Sequence, residues 1–114
     1  MPDLTQNERV CSRLAKLLEA GERDVVDLLR TARTLKRLNI EARQAVRAYI
    51  KEEGCTQHTC LAEEALDRVE QDLRTVLLGH LHLQAPQMHL YLKRATTHSL
   101  KALDYLAYPI ETKA

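Results

Sequence analysis

Phenylalanine and tryptophan are absent from this 114-residue chain, whose only aromatics are Tyr49, Tyr91, Tyr105 and Tyr108. A core without large rings has to be filled by Leu, Val, Ile and Ala, which favours helices packed at close range. Such faces bury less area per residue, so the chain is expected to gain stability from self-association. Glycine and proline are scarce, at three each. A β-rich domain needs more turn residues than that, so this scarcity excludes a sheet architecture.

The three cysteines, Cys11, Cys55 and Cys60, are an odd number and cannot close a complete disulfide framework. They read as reduced thiols of a cytosolic protein. Residues Met1 to Gln6 carry no basic segment followed by an apolar one, so no signal peptide is expected. No apolar run approaches the ~20 residues that span a bilayer, and no membrane partner is expected. Neither charge prevails: 17 basic and 16 acidic side chains leave a net charge of +1. Overall charge therefore selects neither nucleic acid nor membrane.

Catalytic motifs are missing as well. The chain has no Glu-x-x-His pair, no glycine-rich phosphate loop, no nucleophile elbow and no His-Glu-x-x-His. Ser12 and Ser99 fall in the middle of expected helices, away from any activating base. No enzyme activity is expected.

What is present is helical periodicity. Thr5 and Glu8 have the spacing of a capping box, and Val10, Leu14, Leu17 and Leu18 follow on one face. Gly21 stands where a helix commonly ends. Residues 22–53 then contain neither Gly nor Pro. In that span Val25, Leu28, Ala32, Leu35, Asn39, Ala42, Val46 and Tyr49 form a heptad-like seam with Asn39 as its polar member. Either one long helix runs through, with Asn39 setting register, or two helices meet there and Asn39 caps the second. Gly54 ends the region. Residues 54–59 read as a polar loop with Thr59 as the next N-cap.

A third helix carries Ala62, Leu66, Val69, Leu73 and Val76 on one stripe, with an acidic exterior of Glu63, Glu64, Asp67, Glu70 and Asp72. Alternating His and Leu over 80–83 suggest a short extended piece or a continuation of that helix. Pro86 suits the first turn of a fourth helix. Met88, Leu92, Ala95, Ser99, Ala102, Leu103 and Leu106 line its inner side, Pro109 stops it, and 109–114 form a frayed tail. The expected fold is a single all-α domain over 1–114, an antiparallel up-and-down bundle of four or five helices.

Four groups of residues could carry function. Arg30, Arg33, Lys36, Arg37, Arg43, Arg47 and Lys51 face a single acid, Glu41, along the second helix. Such a row can follow a phosphate backbone or meet an acidic partner; it can also simply complement the acidic third helix. No aromatic is interleaved with it to stack on bases. Cys55, His58 and Cys60 have ligand types for zinc, and His80, His82 and His89 cluster near the later turn, but neither group matches a complete metal motif. Tyr91, His98 and Tyr105 recur at sevens on the last helix and could rim a pocket. These patterns imply a small interaction module, an adaptor or regulatory protein, self-associating through the long seam and the acidic third helix. A nucleic-acid-binding regulator using the basic row is the alternative. A metal or small-ligand sensor using the Cys and His residues is a further one.

Overall fold

Among the described residues four helices follow one another with short connections: α1 (Thr5–Glu19), α2 (Val25–Glu53), α3 (Gln57–Gly79) and α4 (Ala85–Ala107). The computed structural model describes residues 4–21 and 23–107. Glu22, the Pro109 stop and the tail expected over 109–114 lie outside the described residues. Among the described residues no helix is long and apolar enough to cross a membrane.

Helix α2 is continuous. Its 29 residues give a rod of about 43 Å. Asp24 caps it by accepting a hydrogen bond from the Asp27 amide at 2.9 Å, and Gly54 ends it at φ 86°, a backbone region that costs other residues strain. Asn39 is neither a cap nor a break. Its Nδ2 donates to the Leu66 carbonyl at 3.1 Å, and its Oδ1 accepts from Arg43 Nε at 3.0 Å. A buried amide side chain with these partners has no reason to interrupt the helix.

Two start signals differ from the expected ones. Helix α1 begins at Thr5 itself, with Leu4 at the cap position. Helix α3 is capped three residues earlier than expected, by Thr56. The Thr56 side chain accepts from the Thr59 amide at 3.1 Å, and Thr59 Oγ1 accepts from the Thr56 amide at 2.8 Å. The threonine expected as N-cap thus supplies the return bond of a capping box. Residues 80–82 form a turn, neither extended nor helical, in which the His82 amide donates to the Gly79 carbonyl at 2.9 Å.

Neighbouring helices α2, α3 and α4 run antiparallel: the early α2 residues Leu28 and Leu35 share a cluster with late α3 (Leu73, Val76) and early α4 (Met88, Leu92), whereas late α2 (Val46) shares one with early α3 (Ala62, Leu66) and late α4 (Ala102, Leu106). Helix α1 rests mainly on α4 and only touches α2, where Asn7 donates to Glu41 at 3.1 Å. Two apolar clusters fill the interior. Leu28, Leu35, Leu73, Val76, Met88 and Leu92 anchor one; Val46, Ala62, Leu66, Ala102 and Leu106 anchor the other. A polar layer of Asn7, Asn39 and Ser99 lies between them. Fully buried Ala32, Ala62, Ala95 and Ala102 permit close helix approach, and the molecule measures 43 × 23 × 17 Å.

The expected dimer seam is therefore part of the chain's own core. Leu28, Ala32, Leu35, Asn39, Ala42 and Val46 are buried, Tyr49 is half-buried, and Val25 alone is exposed. α3 and α4 cover this stripe, which leaves no continuous seam for a second copy.

Candidate functional site

The outward side of α2 carries the basic row, and the structure divides it. Arg43 is consumed. It is only 22% exposed, and its guanidinium meets Asp67 at 2.6 Å and Glu70 at 2.9 Å. Here the acidic face of α3 complements the basic face of α2. Arg37 pairs with Glu41 at 3.4 Å and Arg30 with Asp27 at 3.8 Å, both exposed pairs of small worth. Among the described residues Arg33, Lys36, Arg47 and Lys51 have no carboxylate within 4.0 Å. They are exposed, and α3 spends its own acids elsewhere: Glu64 on Arg68 and Glu70 also on Arg74.

Beside this row, between α2 and α3, lies a groove of about 290 Å³. Leu73 and Asn39 lie at its base, Ile40, Leu77 and Leu78 form apolar walls, and Lys36 and Arg74 stand at its rim. Ile40 is 47% and Leu78 76% exposed. Sequence periodicity missed both, because each lies off its helix's inner stripe. The signal was an isoleucine on the charged side of α2 and a second leucine following Leu77. At the end of the bundle where α1 and α3 finish and α2 and α4 begin, further apolar surface shows. Leu17, Val25, Val26, Leu81 and Leu90 are also exposed there.

Two other grooves are less suited to an apolar partner. The α3–α4 groove, about 110 Å³, is lined by Glu64, Arg68, His98, Lys101 and Tyr105. It brings His98 and Tyr105 together but excludes Tyr91, which instead lies under the Arg94 guanidinium at 5.6 Å. The α1–α4 groove is wider, about 490 Å³, and mixes Glu19 and Asp104 with Lys93 and Lys101.

Between α3 and α4 the Asp72 carboxylate is nearly buried and 3.5 Å from Arg94. Burial pushes its pKa above the ordinary value, while the charges of Arg94 and His98 pull it back. Desolvation outweighs the attraction.

The candidate metal ligands do not converge. Cys55 and Cys60 meet, Sγ to Sγ, at 3.1 Å. His58 turns to Tyr105, ring centroids 5.7 Å apart. His80 Nδ1 is 3.0 Å from the Leu77 carbonyl, His82 is exposed on the turn, and His89 is half-buried on α4. Among the described residues no three His, Cys, Asp or Glu side chains gather as a metal site. The two histidine-bearing segments sit at opposite ends of α3, too far apart to share an ion. Buried Cys11 stands apart from both, its pKa raised to about 11 by burial and by the charge of Glu8.

No protein-family model matches the chain. No curated protein and no solved structure matches it either.

Proposed function

We propose that this protein is a small interaction module, an adaptor or regulator, whose α2–α3 face binds an acidic amphipathic helix of another protein. One observation carries the reading: Lys36 lines a groove with exposed Ile40 and Leu78, and Lys36, Arg33, Arg47 and Lys51, spread along the same helix, have no carboxylate within 4.0 Å among the described residues. A helix with apolar residues at i, i+3 and i+4 fills such a groove, and acids on its flanks meet Arg33, Lys36, Arg47 and Lys51. A second copy fits less well. An isologous dimer through this face sets the same cations against each other. A polyanion is also disfavoured, because Glu41, Asp67 and Glu70 border the row and Ile40 interrupts it. Three unpaired thiols fit a reducing compartment such as the cytosol.

The test is titration of the full chain with designed acidic amphipathic helical peptides, with duplex DNA as the comparison. Peptide binding is expected to weaken about tenfold or more both in the double variant Arg33→Glu, Arg47→Glu and in the double variant Ile40→Ser, Leu78→Ser. Binding of DNA alone, lost in the charge variant and kept in the apolar one, would replace this reading with nucleic-acid recognition. Concentration-dependent self-association by light scattering, lost in both variants, would make a second copy the partner.

A further inference from the structure

The cap of α3 places two thiols in contact. With Thr56 as N-cap, Cys55 is the residue before the cap and Cys60 the fourth residue of the helix. These are the two positions at which many helices place a pair of apolar side chains, the hydrophobic staple. Here the staple is a dithiol. Both cysteines are exposed, yet the backbone beneath them is held firmly. Thr56 and Thr59 are 2% and 0% exposed and exchange the two capping bonds. The Cys60 amide donates to the Thr56 carbonyl at 3.1 Å. Gly54, at φ 86°, turns the chain out of α2 so that Cys55 lies over the first turn of α3.

We propose that Cys55 and Cys60 are a reversible thiol–disulfide site, oxidised by low-molecular-weight disulfides to an intrachain link across the α3 cap. The observations behind it are the 3.1 Å sulfur contact, the exposure of both thiols and the rigid capping box between them. The Cys60 thiol is held above its usual pKa, first by its hydrogen bond to Cys55. Either exposed thiol can begin the exchange with a small disulfide.

When Cys55 begins, its thiol gives up its proton, and its sulfur attacks one sulfur of the small disulfide. That S–S bond breaks, a mixed disulfide forms, and the departing thiolate takes the proton. Cys60 then loses its proton and attacks the Cys55 sulfur. The second thiolate leaves with that proton. Two protein thiols are oxidised, and one small disulfide is reduced to two thiols. Because the second sulfur already touches the first, ring closure outruns a second external thiol. Exposure keeps the link open to reduction by the same class of thiol.

The test exposes the native full chain to oxidised glutathione and follows intact mass and peptide maps. The expected product has lost two hydrogens, carries no glutathione, links Cys55 to Cys60, leaves Cys11 free and reverts with dithiothreitol. Cys60→Ser is expected to stop at one glutathione on Cys55. Cys55→Ser is expected to stop at one glutathione on Cys60. A wild-type chain that keeps a glutathione adduct, forms interchain dimers through these thiols or does not react would overturn the proposal.

Discussion

Asn39 and Arg43 show how much one pair of side chains decides. Asn39 donates to the Leu66 carbonyl and accepts from Arg43, which reaches on to Asp67 and Glu70. Asn39→Ala is expected to cost about 1–3 kcal/mol in chemical denaturation, because a buried donor–acceptor pair is broken. A double-mutant cycle with Arg43→Ala should give a coupling of about 0.5 kcal/mol or more; strict additivity would show that the two act separately. Asp72 behaves in the opposite sense. Its folded-state pKa lies above the ordinary 3.8, so the folded protein holds that proton more tightly than the unfolded chain. Its contribution to stability is complete below that ordinary value and is lost as pH rises through the folded one. Asp72→Asn should therefore flatten the stability–pH curve in that acidic window and leave the melting temperature at neutral pH unchanged or higher. A clearly lower one would show that the Arg94 pairing outweighs desolvation.

At the scale of the element, the inner stripes were legible because period alone specifies them. Leu28, Ala32, Leu35 and Val46, Ala62 to Val76, and Met88 to Leu106 are buried on the faces their spacing implies. Helix starts were less legible. Thr56 and Thr59 are chemically equivalent as caps, and only the three-dimensional exchange of bonds tells N-cap from third residue. Thr56→Ala is expected to cost about 1–2 kcal/mol in thermal or chemical melts. Continuity at Asn39 was undecidable from sequence, since the deciding partner, the Leu66 carbonyl, lies on another helix. The basic row of α2 was visible, but which of its members lack acids depended on the reach of α3. Arg43 finds Asp67 and Glu70, whereas Arg33 and Arg47 find none among the described residues. The groove was not visible, because Ile40 and Leu78 lie off the periodic pattern.

At the scale of the molecule, contact is unevenly shared. α3 and α4 form the most extensive pairing and α2 packs on both, while α1 lies chiefly on α4. α1 is also the shortest helix, at 15 residues. The helix with the fewest neighbours is expected to open most readily. Native-state hydrogen exchange should show the least protection over Thr5–Glu19 and the most at the α3–α4 contact. Equal protection throughout would mean that the bundle opens only as a whole. The resting place of α1 also sets an order of assembly. α3 and α4 are joined by a short turn and can pair as a local hairpin, whereas α1 has to wait for a partner some eighty residues downstream. During synthesis, Cys11 and Leu18 therefore stay uncovered until α4 has emerged, and α1, made before the other three helices, is the last of them to find its place.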